Sequence, residues 1–142
     1  MRYLDSQQMN ELCHELAVAL FDQYREPIPP FALHDEHKLE AILANPQQTF
    51  AGKDLYPTLH DKAAILYYGI IKGHPFDNGN KRIATASLIV FLAINGQWLD
   101  VPARQLEHMA ISVAASQAEQ KEKHLKKLQR WIKKNAITLP NA

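Results

Sequence analysis

The segment from Asn80 to Asn95 is apolar on almost every side when it is read as a helix. A helix with apolar residues all around it belongs in the interior of a larger protein. The pair Asn95-Gly96 is a strong signal for the end of a helix, because both residues tolerate a left-handed backbone. We therefore predict a buried central helix here, around which the rest of the chain must pack.

Five further segments have the apolar spacing of amphipathic helices, so we predict an all-α fold, a compact bundle of about six helices. The predicted ranges are about 5–24, 35–44, 59–72, 102–116 and 117–135. Asp5 or Ser6 can cap the first of these helices, and Gly73 is expected to break the third. The side chains predicted to face inward are Met9, Leu12, Leu16, Leu20, Leu39, Ile42, Leu43, Ala63, Leu66, Tyr67, Ile70, Leu125, Leu128 and Ile132.

Two segments lack a helical pattern. Three prolines within residues 27–30 mark a loop, because proline cannot continue a helix. Residues 46–58 contain two prolines and one glycine, which indicates a short extended segment. With 142 residues, the chain is most simply a single domain, 1–142, with its own hydrophobic core.

The composition is that of an ordinary globular protein, with 46% hydrophobic and 22% charged residues. The single cysteine, Cys13, cannot form an internal disulfide, and its position in a helical pattern predicts a small buried apolar residue. No apolar run reaches the length that spans a membrane, and the N-terminus lacks a signal core. We therefore expect a cytoplasmic protein without a membrane partner.

Charge is unevenly distributed along the chain. Residues 1–120 contain 9 Lys/Arg and 14 Asp/Glu, a net charge of −5, whereas residues 121–142 contain 7 Lys/Arg and 1 Asp/Glu, a net charge of +6. A basic amphipathic helix at about 117–135 can bind nucleic acid, a membrane or an acidic partner, but more often it simply exposes its charges to solvent. We favour the solvated face. Its basic residues are Lys121, Lys123, Lys126, Lys127, Arg130, Lys133 and Lys134.

The turn before the central helix has the features of a phosphate-binding site. Gly79 can adopt a positive φ, so that successive N–H groups curl around an anion. The helix that begins at Asn80 would direct its unpaired N–H groups to the same place, and Lys81 and Arg82 add full positive charges. The alternative is a plain connecting turn, since short motifs of this kind also occur by chance.

The residues before this turn suggest proton transfer and metal binding. His74 can accept a proton near neutral pH, and so it is the candidate general base. Asp77 and Asn78 offer oxygen ligands of the kind that Mg²⁺ uses together with substrate phosphates. Phe76 has no chemistry to offer and is predicted to anchor the loop in the core. Base, phosphate cradle and metal ligands in one loop, 74–82, indicate transfer from a nucleotide to a hydroxyl group.

His34 and His37 lie three residues apart and suggest half of a metal site. Zinc needs three or four ligands, and no third candidate stands nearby. We predict that both are solvated surface residues.

The loop His74-Pro75-Phe76-Asp77-Asn78-Gly79-Asn80-Lys81-Arg82 resembles the signature of the Fic/Doc family, and Lys81 is similar to the Doc (death-on-curing) branch. The likeness extends from about Leu39 to Asn95. It implies a compact Fic/Doc helical bundle with an extended flap at about 46–58. In that family the flap lines the side of the active site where the protein target docks. The flap residues in question are Lys53, Asp54, Leu55 and Tyr56.

The resemblance also implies an activity. The adenylylating Fic pattern has Gly where this chain has Lys81, and a second Arg where it has Thr85. Doc-like proteins hold ATP in the reversed orientation, which implies a Mg²⁺-dependent protein kinase acting on a hydroxyl of a translation factor, elongation factor Tu by analogy. The alternatives are an AMP-transferring Fic enzyme and a catalytically weakened binding module. Asn78 favours the last of these, because the family has a carboxylate there and an amide is a weaker Mg²⁺ ligand.

The resemblance finally implies how such a protein is controlled. Many Fic proteins inhibit themselves through a helix with Glu followed by Gly or Asn, a pair that this chain does not contain. A Doc-like toxin is held instead by a separate, Phd-like antitoxin, whose C-terminal segment binds as an added helix. We expect that partner and a bacterial cytoplasm, and we expect no direct contact with nucleic acid.

Overall fold

The computed structural model describes residues 1–21 and 27–140, and this part of the chain contains six helices and two short two-stranded sheets. Helix α1 covers residues 6–21 in three pieces, Ser6–Gln8, Met9–His14 and Glu15–Phe21. The others are α2 Glu36–Ala44, α3 Leu59–Gly73, α4 Asn80–Ile94, α5 Ala103–Ala115 and α6 Lys121–Asn135. The strands are β1 Thr49–Phe50, β2 Lys53–Asp54, β3 Gln97–Leu99 and β4 Ala136–Thr138. The all-α prediction of a compact bundle with a short flap is confirmed.

Helix α4 is the centre of the bundle, as its composition predicted. It packs along α3 and is also in contact with α1 and α5. Ten of its fifteen residues are buried, and Ile83, Leu88 and Leu92 have no exposed surface. Most of the stability of such a helix comes from this packing and not from intrinsic helix propensity.

The starts of the outer helices follow their capping residues. The Asp5 carboxylate accepts a hydrogen bond from the Gln8 N–H at 2.8 Å, and Thr58 accepts one from the Asp61 N–H at 3.1 Å. In both cases the third helical residue bonds back to the cap, which completes a capping box. Asp5, and not Ser6, is therefore the cap of α1.

The predicted inner face of α1 is wrong in part. Leu12 and Leu20 are 42% and 45% exposed, whereas Cys13 and Ala17 are fully buried together with Met9. The reason is the π-helical stretch Met9–His14, in which the backbone bonds five residues back and turns less per residue. The fully buried side chains of α1 therefore recur every four residues. The predicted end of this helix, near Tyr24, lies outside the described residues.

The end of α3 also differs from the prediction. The helix runs through Gly73, and the left-handed residue that closes it is His74, with φ 50°. Gly73 serves packing instead, because a Cβ built there would lie 2.8 Å from Ile42 Cδ1 of α2. The absence of a side chain lets α2 approach α3 closely.

The sheet formed by β3 and β4 was not expected, since the flap was the sole extended segment predicted. These strands pair antiparallel, with Trp98 opposite Ile137, and so they tie the end of α6 to the segment after α4. The bonds continue beyond the ladder, from the Asp100 N–H to the Asn135 carbonyl and from the Leu139 N–H to the Gly96 carbonyl, both at 2.9 Å. Three-residue strands carry too little pattern to be recognised in a sequence.

The prediction for the two histidines holds for one of them. His37 is exposed, but the His34 side chain is only 9% exposed and is bonded to the Phe31 carbonyl and the Glu36 carboxylate. His34 was therefore wrongly assigned to the solvated surface.

No helix in the described residues is long and apolar enough to cross a membrane.

Cys13 gives this fold a specific response to alkaline pH. Burial raises the pKa of its thiol from the ordinary value of 9.0 to about 12, although a hydrogen bond with Ser87 lowers this pKa by a smaller amount. Above pH 9 the unfolded chain releases a proton that the folded protein keeps, so the free energy of unfolding falls as pH rises towards 12. The free energy of unfolding, measured with urea, should fall between pH 8 and pH 10 in the wild type. In Cys13→Ala this fall should be smaller by about 1.4 kcal/mol. An equal loss in both proteins would contradict this assignment.

Candidate functional site

A cleft of about 850 Å³ opens between the loop 74–82, the start of α4 and one face of α5. We refer to it as the loop cleft. The structure brings seven of the predicted site residues to its wall, although their roles remain predictions. These residues are His74, Asp77, Asn78, Gly79, Asn80, Lys81 and Arg82. On the opposite wall, α5 contributes mainly apolar side chains, among them Leu106 and Ile111.

Asn80 braces the loop from inside. Its side chain accepts a hydrogen bond from the Phe76 N–H at 3.1 Å and donates one to the Phe76 carbonyl at 2.8 Å. The residue is only 4% exposed. The side chain predicted for the phosphate cradle is thus already engaged in holding the loop, and the main-chain N–H is the group that Asn80 can offer to an anion.

His74 stands at the mouth of the loop cleft, exposed and in the left-handed conformation. The Asn80 amide meets its Nδ1 at 3.1 Å. Because the two bonds to Phe76 fix the amide orientation, Asn80 donates and Nδ1 accepts, which assigns the proton of the neutral ring to Nε2. This bond engages the Nδ1 lone pair and orients the ring, so His74 can take a proton from a substrate only once the bond to Asn80 is released.

Phe76 anchors the loop, as predicted from its lack of chemistry. It is 3% exposed, and its ring lies 5.9 Å from the rings of His14 and Phe31 and 6.0 Å from that of His34. Next to it, the Pro75 carbonyl accepts a hydrogen bond from the Asp35 N–H at 2.8 Å. The residues around the anchor come from two separate parts of the chain, α1 and residues 31–35, and so no local sequence signal could have revealed them.

The turn at Gly79 has the form expected of an anion site. Gly79 has φ 78° and caps α4. A Cβ at this position would lie 3.3 Å from Ile28 and 3.5 Å from the Arg82 guanidinium, so space and conformation both select glycine. Lys81 is exposed and Arg82 is partly buried at the same end of the helix. The positive end of the α4 dipole and two cations therefore meet at the wall of the cleft.

The loop offers two oxygen ligands that suit Mg²⁺. Asp77 is exposed, while the Asn78 side-chain oxygen is buried and has no hydrogen-bond partner. A buried acceptor without a partner is costly, and a cation would relieve that cost once the side chain turned towards it. The described residues contain no cluster of three or more His, Cys, Asp or Glu for a metal ion. Mg²⁺ does not require one, because it takes most ligands from phosphates and water.

Thr85 closes the inner end of the loop cleft with a neutral group. It is 5% exposed, and its hydroxyl donates to the Lys81 carbonyl at 2.9 Å. The chain therefore has no positive charge at this position of α4, where the adenylylating Fic pattern has its second Arg. The positive charge of α4 is therefore confined to the start of the helix, at Lys81 and Arg82.

The flap lies apart from the wall of the loop cleft. β1 and β2 form a hairpin whose turn has Ala51 at φ 52° and Gly52 at φ 77°. Lys53, Asp54 and Leu55 are exposed and Tyr56 is half-buried. These predicted docking residues thus form one exposed hairpin, and none of them lines the cleft.

Residues 3–92 match the model of the Fic/DOC family, which is well over half of the chain. A stretch of 64 residues is 45% identical to a protein named Toxin Doc from Mycolicibacterium smegmatis (strain ATCC 700084 / mc(2)155). That stretch is 45% of this chain and 49% of the relative, so the match spans about half of the relative's length. The chain belongs to the Fic/Doc family.

Proposed function

We propose that this protein is the toxin of a toxin–antitoxin pair and that it transfers the γ-phosphate of ATP to a hydroxyl group of a translation factor, elongation factor Tu by analogy. The observation that carries the proposal is the meeting of an oriented histidine with a cationic helix start at one cleft. Asn80 holds His74 at 3.1 Å, and Lys81 and Arg82 line the same wall. The relative named Toxin Doc supports the toxin role.

The chain's own residues supply three parts of this chemistry. The Gly79 turn, Lys81 and Arg82 bind and orient the phosphate groups through N–H groups and positive charge. His74 takes the proton of the target hydroxyl as its oxygen forms the bond to the γ-phosphorus, and ADP leaves. Asp77, with Asn78 after rotation, would hold Mg²⁺, which when bound neutralises charge on the phosphates.

The choice of phosphate over AMP rests on the resemblance to the Doc branch, and charge placement agrees with it. Lys81 adds a cation to the cradle and Thr85 leaves the inner end of the cleft neutral. This distribution favours the terminal phosphate at the start of α4. The alternative, AMP transfer, would need comparable charge further along the helix.

A weakened binding module is the second candidate, and one observation favours it. The Asn78 oxygen is buried and unpartnered, and it is an amide where the family has a carboxylate. Such a protein would still bind a separate antitoxin. The exposed side chain of Ile111, 50% accessible at the edge of the cleft, offers an apolar contact for an added helix.

A translating bacterial extract separates these candidates. A nucleotide-depleted extract is preincubated with the protein and a nucleotide, and the protein is removed before translation is started. Preincubation with ATP should stop peptide synthesis, whereas preincubation with ATP carrying an imido group between the β- and γ-phosphates should not. Inhibition with both nucleotides would indicate AMP transfer. Inhibition that disappears when the protein is removed would contradict an enzymatic role and favour the binding module.

A further inference from the structure

Lys62 is a buried lysine that the chemistry described so far does not use. It lies in the second turn of α3, and its side chain is only 3% exposed. Burying an ammonium group is unfavourable unless its donors are satisfied, so a lysine in this position needs specific partners.

The partners of the Lys62 ammonium are the two legs of the flap. It donates to the Pro46 carbonyl, just before β1, at 2.9 Å, and to the Asp54 carboxylate, at the end of β2, at 3.5 Å. It also lies 5.8 Å from the centre of the Tyr3 ring, which stacks on Phe91 of α4. One positive charge thus joins both legs of the hairpin to the core of the bundle.

The hairpin has few other attachments. Residues 47–55 are all exposed, and Phe50 is 77% accessible. Apart from the short ladder, the Leu55 N–H donates to the Gln48 carbonyl at 2.9 Å, which closes the hairpin on itself and not on the bundle. An isolated two-stranded hairpin is only marginally stable in water. The flap therefore depends on its base for a defined position.

We propose that Lys62 is a positioning residue that fixes the flap and thereby sets the affinity of the enzyme for its protein target. The inference rests on the proposed function in one respect, namely that the flap is where the target docks. Lys62 is outside the loop cleft, so nucleotide binding and proton transfer do not depend on it. Its loss should raise the KM for the protein target and leave kcat and the affinity for nucleotide near their wild-type values.

The closure of the flap at its base can be measured without any activity assay, because Lys62 bridges the two legs next to the Leu55–Gln48 bond. In Lys62→Met the apolar stem of the side chain remains and the charge is removed. Hydrogen exchange of the Leu55 amide, followed by NMR, should accelerate roughly ten- to hundredfold, because a hydrogen-bonded buried charge has been lost. Amides in the middle of α4 should exchange as in the wild type.

Lys72 provides the matched control on the same helix. Its ammonium donates to the Ala114 and Ser116 carbonyls at 3.3 Å and 2.6 Å, at the end of α3 away from the flap. Lys72→Met should leave the exchange of the Leu55 amide unchanged. Unchanged exchange in Lys62→Met, or an equal acceleration in both variants, would overturn the proposal.

Asp54→Asn keeps the test decisive if Lys62→Met does not fold, since the Asp54 side chain is 52% exposed and its change cannot remove the core. It should also accelerate exchange at Leu55, by a smaller factor, and an unchanged rate would overturn the proposal.

The kinetic arm uses purified elongation factor Tu. A higher KM with unchanged kcat supports the proposal, and a lower kcat with unchanged KM contradicts it. If no protein is modified by the wild type, the proposed function fails while the exchange result still decides the role of Lys62.

Discussion

His74→Ala should lower the rate of phosphate transfer to the protein target by at least about 100-fold, because the target hydroxyl loses the group that accepts its proton. The affinity for ATP should stay near the wild-type value, since His74 is exposed and the proposed phosphate cradle consists of Gly79, Lys81 and Arg82. Single-turnover transfer and equilibrium nucleotide binding measure the two effects separately.

His37→Ala is the control for this variant. His37 is an exposed histidine on α2, and the side chain of His34 was found buried, so His37 is the better surface reference. Its replacement should leave the transfer rate unchanged. Full activity in His74→Ala would remove His74 from the mechanism and with it the proposed proton transfer.

Phe76→Ala should reduce the free energy of unfolding by about 3–5 kcal/mol, as expected when a buried aromatic ring is removed and a cavity is left. The ring is 3% exposed and lies among His14, Phe31 and His34. For a chain of this length the change corresponds to a fall in Tm of about 10–17 °C, which differential scanning calorimetry can measure. Transfer activity should fall as well. Without the ring the loop is held less firmly, and the Phe76 backbone then fixes the Asn80 amide less well.

Phe50→Ala removes the same ring from the flap, where it is 77% exposed. Its effect on Tm should be close to zero, since surface substitutions of this kind usually change stability by less than about 0.5 kcal/mol. Similar Tm values for Phe76→Ala and the wild type would contradict the role of Phe76 as the anchor of the loop.

The features that could be predicted from the sequence are those written in neighbouring residues. The apolar composition of residues 80–95 predicted the central helix, and Leu125, Leu128 and Ile132 are buried as their spacing indicated. The loop 74–82 is contiguous in the chain, and seven of its nine residues line one cleft. Residues that are neighbours in the chain remain neighbours in space when a single turn forms the site.

The features that could not be predicted depend on contacts between distant segments or on small changes of backbone geometry. The π-helical stretch Met9–His14 moved Leu12 and Leu20 to the surface, although their spacing fits an ideal helix. The role of Asn80 as a brace follows from a loop shape that the sequence does not state. Lys62 reads as an ordinary surface lysine until the flap is placed beside it.

ATP labelled separately at the α- and γ-phosphates shows directly whether the loop cleft transfers the terminal phosphate. Purified protein is incubated with Mg²⁺, a bacterial lysate and each labelled ATP, next to His74→Ala and Asn78→Asp. We expect protein labelling from the γ-position alone, loss of the labelling in His74→Ala, and transfer at a lower Mg²⁺ concentration in Asn78→Asp. Labelling from the α-position, or transfer by Asn78→Asp but not by the wild type, would contradict this expectation.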